Sequence, residues 1–274
     1  MSTTEVSRGG AGRALSDGWV VAKRNLIKIK RVPDILVFVL ISPIMFVLLF
    51  AYVFGGAIDV PGDVDYKEFL IAGIFAQTVV FGATFTGYGL ADDMQKGIID
   101  RFRSLPMSRS AVLVGRTTSD VAYNVISLVI MALTGLLVGW RIREGVVDAL
   151  LGFLLLLVFA YAVSWIMAYV GLIVPSVEVV NNASFVVIFP LTFVSNAFVP
   201  LESFDGVLRT FVEWNPVSAV TQATRELFGN TAPGIPVPDS WAMQNPALYT
   251  LIWSAAIVAV FAPLSVRQYL STSK

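Results

Sequence analysis

The chemistry open to this sequence is narrow, because neither cysteine nor histidine occurs among its 274 residues. Their absence removes disulfides, thiolate nucleophiles, imidazole bases and the usual zinc and haem ligands together. No catalytic residue and no metal site is therefore expected. A GxxxxGK[ST] phosphate loop is missing too, so the chain has no usual means of binding ATP. What remains is the chemistry of surfaces. Between Asp17 and Val32 the segment DGWVVAKRNLIKIKRV sets Trp19 among Lys23, Arg24, Lys28, Lys30 and Arg31. That is the pattern of an amphipathic helix on an anionic inner leaflet, or of a basic flank that fixes orientation. Further on, Ile98, Ile99, Phe102 and Leu105 recur at i, i+1, i+4 and i+7 opposite a charged face. This stripe predicts a helix from near Asp92 to just before Pro106, either lying on the membrane or docked in a protein groove.

The elements that hold these segments follow from composition. The chain is 56% hydrophobic and 14% charged, with 19 basic and 19 acidic residues and a mean hydropathy of +0.76. A soluble domain carries roughly 25% charge, so most of this exterior must face lipid. A balanced charge gives no case for nucleic acid. Six long runs lack any Asp, Glu, Lys or Arg: Ile35 to Phe54, Phe69 to Leu90, Val121 to Trp140, Leu150 to Val174, Ala183 to Val199 and Leu248 to Val266. Each is read as a transmembrane helix; the fifth, short and interrupted by Pro190, Ser195 and Asn196, is kinked or only partly crosses. The fourth is apolar on every face, which excludes alternating barrel strands. The first starts too late and runs too long for a cleaved signal core of about 7–15 residues.

Fourteen basic residues fall before span 1, between spans 2 and 3 and after span 6, against five on the other side. Both termini are therefore expected in the cytoplasm of a multi-pass protein of the cell membrane. The external segment from Pro200 to Asn245 is long for a helix hairpin. It holds two helical patterns, LESFDGVLRTFVEW and a second that opens with Asn215 as cap before Pro216 and stops at Gly229. Gly135 with Gly139, and Ala83 with Gly87, are small-xxx-small pairs that permit close helix contact. The expected fold is all-α: residues 1–16 disordered, 17–32 an interfacial amphipathic helix, and 33–274 a six-helix membrane domain with short external helices between spans 5 and 6.

With no phosphate loop and no charged residue inside the six runs, the chain lacks the parts of an ATPase or of an ion-coupled carrier. A passive channel, a membrane scaffold and a permease driven by a separate ATPase remain. The basic stretch before span 1, the loop QKGIIDRFRSLPMSRSAVLVGR, the six spans and the external segment EWNPVSAVTQATRELF together resemble the ABC-2 type exporter permeases, in particular their daunorubicin-resistance branch. The resemblance covers nearly the whole chain from Asp17 onward, and the loop is its most specific element.

The resemblance implies a half-transporter that pairs with a second copy of itself and docks two copies of a cytoplasmic ATPase, which would hold the ATP and magnesium. It makes Gly97, Ile98, Ile99, Arg101, Phe102, Arg103, Leu105 and Pro106 a coupling element seated on the ATPase, and residues 17–31 an interfacial connecting helix. It also implies a cargo path lined mainly by spans 1, 2 and 5, which carry Gln77, Phe81, Thr84, Phe85, Tyr88, Phe189, Thr192, Phe193 and Asn196. Uncharged polar groups among aromatics suit an amphiphilic drug-like or lipid-like cargo rather than an ion. The expected activity is export of such a cargo without catalysis by this chain; the rival reading is a channel or scaffold without ATP coupling.

Overall fold

A computed structural model describes residues 33–55, 58, 60, 62, 65–103, 111–174, 176–231 and 238–271. The expected disordered N-terminus, the basic stretch with Trp19, Lys23, Arg24, Lys28, Lys30 and Arg31, and Leu105 and Pro106 lie outside the described residues, as do the side chains of Phe102 and Arg103. The described residues form helices and no strands. In chain order they are α1 (Pro33–Leu49), running on as a π-helical turn over Phe50–Phe54, α2 (Tyr66–Gly82), α3 (Thr84–Gln95), α4 (Ile98–Arg103), α5 (Ala111–Val138), α6 (Val146–Ile173), α7 (Val177–Phe193), α8 (Gly206–Trp214), α9 (Pro216–Phe228), α10 (Trp241–Gln244) and α11 (Pro246–Ser271).

Four of these rods are long and apolar enough to cross a membrane: Tyr66–Gln95, Val112–Val138, Val146–Ile173 and Pro246–Ser271. The first and fifth predicted spans correspond to shorter apolar helices, Ile41–Phe54 and Val177–Phe193. The fifth differs most from expectation. Ser176 caps it by accepting from the Val179 amide at 3.3 Å, so the helix begins at Val177, ahead of the uncharged run that starts at Ala183. Its far end stops at Phe193, where Asn215 donates to the carbonyls of Leu191 and Val194 at 2.7 Å each and satisfies the orphan acceptors of the last turn. The residues from Val194 to Pro200 form turns.

The third span also starts earlier than charge counting predicts. Helix α5 takes in Arg116 and Asp120 because both pair with neighbours instead of seeking water. Both precede the uncharged run that begins at Val121. Likewise Asp92 belongs to α3, and the apolar stripe is a separate short helix that begins only after Gly97, whose φ of 63° breaks the rod.

Helix α6 is the hub, packed against α3, α5, α9 and most extensively α11. The α2–α3 rod is the most enclosed, with 83% of its apolar window buried against 22% for α11. A helix apolar all round belongs inside, whereas Leu251, Ile252 and Val260 of α11 stay exposed and give the molecule a lipid-compatible outside. Small residues set the closest contacts: a Cβ on Gly171 of α6 would fall 2.4 Å from the Gly87 carbonyl oxygen. Ala83 is itself fully buried, and Gly135 packs on Ile71 and Trp140. The predicted small-residue pairs are thus used largely within the chain.

Outside the long helices the sequence signals are realised closely. Asn215 caps α9 by accepting from the Val217 amide at 2.8 Å, and Gly229, at φ 69°, closes it in the left-handed conformation. Helix α8 begins at Gly206 rather than Leu201, because Gly206 adopts φ 57° and interrupts the pattern. Glu68 at the start of α2 accepts two hydrogen bonds from Arg143 at 2.7 Å, tying the N-terminal ends of α2 and α6 together.

Candidate functional site

The break in the central rod organises the site. At Ala83 the ladder shortens, with the Thr86 amide donating to the Ala83 carbonyl at 3.1 Å, and Thr84 Oγ1 donates back to the Phe81 carbonyl at 2.7 Å. Just beyond it the Thr86 hydroxyl donates to the Asp120 carboxylate, Arg116 lies 3.8 Å from the same carboxylate, and Arg116 Nη2 donates to the Phe85 carbonyl at 2.6 Å. Asn124 Oδ1 occupies the space a side chain on Gly82 would need. The bend is therefore braced from α5 by charge-assisted bonds, which are strong where water is excluded.

Beside the bend opens a cavity of about 330 Å³ between α1, α2, α3, α5 and α7. Of the nine residues expected on a cargo path, Gln77, Phe81, Thr84, Phe85, Phe189 and Phe193 line it. The other three do not. Tyr88 is 48% exposed on α3. Thr192 is fully buried and donates to the Ile188 carbonyl at 2.8 Å. Asn196 lies in the turn beyond α7, where its backbone amide donates to Ser218 Oγ at 3.1 Å. Sequence reasoning missed Tyr123 and Ser127, which α5 brings to the same cavity; their i, i+4 spacing put them on one helix face, but nothing in the sequence said which face met the cavity.

One wall is a ladder of rings. Phe185, Phe189 and Phe193 recur every four residues on α7 and stack with centroids 4.9 and 4.1 Å apart. The ladder continues from Phe193 to Phe198 at 5.0 Å and from Phe198 to Phe50 at 4.8 Å. Such a wall attracts flat apolar surface through dispersion and offset stacking.

At one end of the molecule, α4 is rooted in the chain's own core. Ile99 is 3% exposed and packs with Leu90, Leu113, Trp165, Leu172 and Tyr269. Ile98 is half-buried and Arg101 exposed, so the helix keeps an outward face. At the other end Arg225 is buried, where it donates to the carbonyls of Phe69, Asn196 and Ala197. Burial pushes its guanidinium down to about 9, so it stays charged at neutral pH. Among the described residues no group of three or more acidic residues is placed to hold a metal ion.

Comparison with known proteins places this geometry. A family model described as ABC-2 type transporter matches residues 17–228. The chain is 37% identical over 246 residues to the daunorubicin resistance ABC transporter permease protein DrrB1 of Streptomyces coeruleorubidus, covering 90% of this chain and 83% of the relative. It is 26% identical over 228 residues to the probable doxorubicin resistance ABC transporter permease protein DrrC of Mycobacterium tuberculosis, covering 83% of this chain and 79% of that one. A putative transport permease, ycf38, of Porphyra purpurea is 24% identical over 217 residues, covering 77% of this chain and 73% of the relative.

Proposed function

We propose that this chain, which belongs to the ABC-2 type transporter family, is the membrane half of an ATP-driven exporter of amphiphilic, drug-like or lipid-like molecules. Two copies pair and dock two copies of a cytoplasmic ATPase, which supplies the nucleotide site. The observation that carries this reading is the cavity at the bend of the central rod, where a phenylalanine ladder faces uncharged polar groups. A largely apolar concave site with few polar anchors suits an amphiphile. Two relatives named for resistance to daunorubicin and doxorubicin support a drug-like cargo.

In this reading the cytoplasmic side is that of α4 and both termini, and residues 97–106 couple the ATPase to the permease. Ile99 anchors the element to the permease core while its outer face meets the partner. Nucleotide-driven closure of the ATPase pair moves α4, and α3 carries the movement to the braced bend at Ala83. The cavity then alternates between inward and outward access. Cargo must bind more weakly in the outward state, because equal affinity in both would drive no export.

The test is affinity purification of the tagged chain in mild detergent, with mass analysis and an ATPase assay of what accompanies it. A stoichiometric ATPase whose hydrolysis is stimulated by a flat amphiphile is expected. A lone protein, under conditions that preserve membrane complexes, overturns the reading in favour of a channel or scaffold.

A further inference from the structure

Beside the bend, the central rod and α5 meet residue for residue. Gly82, Thr86 and Gly89 follow one another at spacings of four and three, while Asn124, Asp120 and Arg116 run past them in the opposite direction at spacings of four. Asn124 Oδ1 fills the space of a Gly82 side chain, the Thr86 hydroxyl donates to Asp120, and the Arg116 guanidinium fills the space of a Gly89 side chain. Each glycine is thus a notch that receives a polar group from α5.

This seam is closely packed yet incompletely bonded. Arg116 Nη2 donates to the Phe85 carbonyl at 2.6 Å, but Arg116 Nε is buried without a hydrogen-bond partner and lies 3.8 Å from the Asp120 carboxylate. Asn124 Oδ1 is also buried and unpartnered. A buried ion pair stabilises only when its geometry is close and its donors are bonded, and a charge-assisted bond forms at about 2.7–2.9 Å. The guanidinium therefore has two seats about 1 Å apart. One is the Gly89 notch against α3; the other is the Asp120 carboxylate, one turn along its own helix. Taking the second draws the group out of the first.

The surroundings give the two seats a consequence. Leu90 and Leu113 flank the contact of Gly89 with Arg116 and share a core with Ile99 of α4. Phe85 and Tyr123, toward the other end of the seam, line the cavity. The seam is thus the material between α4 and the cavity.

Building on the proposed function, we infer that Arg116 is a positioning residue that switches between these seats. Lodged at Gly89, it holds α3 against α5 in the conformation described above. Closed on Asp120, it releases the Phe85 carbonyl, so the first turns of α3 pivot at Ala83. Movement of α4 selects the seat by shifting Leu90 against Leu113, which is how a displacement outside the membrane domain reaches the cavity.

The natural sequence has no cysteine, so a pair of spin labels reads this movement directly. Tyr88→Cys on α3 and Leu137→Cys at the C-terminal end of α5 replace exposed residues, and pulsed dipolar spectroscopy of the full chain in lipid nanodiscs measures the distance between them. Two populations are expected. Gly89→Ala closes the notch and is expected to shift their ratio about tenfold or more toward the Asp120 seat; Asp120→Asn keeps shape and an acceptor for Thr86, weakens the second seat, and is expected to shift the ratio as far the other way. A residue that merely packs would lower stability in both variants without opposite shifts. Unchanged ratios, or shifts in one direction, overturn the switch, and an unchanged ratio in Asp120→Asn does so alone if Gly89→Ala does not fold. The measurement needs no nucleotide, cargo or partner. With the ATPase present, both variants are expected to lower export per ATP hydrolysed about tenfold; opposite distance shifts without that loss overturn the part given to the bend in the proposed function and leave the two seats standing.

Discussion

The Arg225 guanidinium carbon lies over the Phe69 ring, 3.5 Å from its centroid, and the group donates through Nε to the Phe69 carbonyl at 2.9 Å. A single cation thus caps the N-terminal end of the central rod. Through Nη2 it holds the Asn196 and Ala197 carbonyls of the turn after α7. Arginine is suited to this because its planar fork bonds several acceptors while stacking on a ring. The turn has no helical ladder of its own, so these carbonyls depend on Arg225 for satisfaction.

Replacing Arg225 with alanine leaves those carbonyls unpaired in a closed interior, a loss of about 3 kcal/mol or more. The expected result is a clear fall in the thermal unfolding midpoint in detergent. Arg209→Ala, which removes a half-exposed pair with Glu213, is the control and should cost well under about 1 kcal/mol. Equal shifts for the two variants would remove Arg225 from its role as the clamp of this turn.

Helices α3 and α6 touch backbone to backbone at Gly87 and Gly171. Gly171→Ala places a methyl 2.4 Å from the Gly87 carbonyl oxygen, so the helices must separate, at a cost of about 1–3 kcal/mol. Gly145→Ala meets only the carboxylate end of Asp148 at 3.3 Å and should fold nearly as the parent does. Purification yield and unfolding midpoint of the two variants check this, and a Gly171→Ala protein as stable as Gly145→Ala would refute the close packing.

Orientation is open to a direct test, because the natural sequence has no cysteine. Val207→Cys on α8, where the parent residue is 88% exposed, should react with an impermeant maleimide in intact cells. Ser271→Cys at the end of α11 should react only after permeabilisation. Labelling of Ser271→Cys from outside reverses the assignment of both ends.

Much of this protein was legible in one dimension. Composition required an exterior without charge, and the uncharged runs located most of the helices, because a lipid-facing helix has to satisfy its backbone internally and cover it with apolar side chains. Local punctuation was equally plain: Asn215 before Pro216 and Gly229 after Phe228 mark helix ends through bonds that need only near neighbours. Six of the nine expected path residues also meet at one cavity, since uncharged polar groups between phenylalanines in apolar runs are a local signal.

Tertiary structure decided everything that depends on a distant partner. Arg116 and Asp120 read as loop residues until Thr86 and the Phe85 carbonyl, some thirty positions earlier, pair with them. Ile99 belongs to an amphipathic stripe in the sequence, yet it faces inward because Trp165 and Tyr269 are there to receive it. Helix α7 ends at Phe193 because Asn215 reaches its carbonyls from beyond the next helix. Tyr123 and Ser127 line the cavity only because α5 turns that face toward α2. Periodicity reports which residues share a face; burial and charge pairing depend on what that face meets, and only packing determines it.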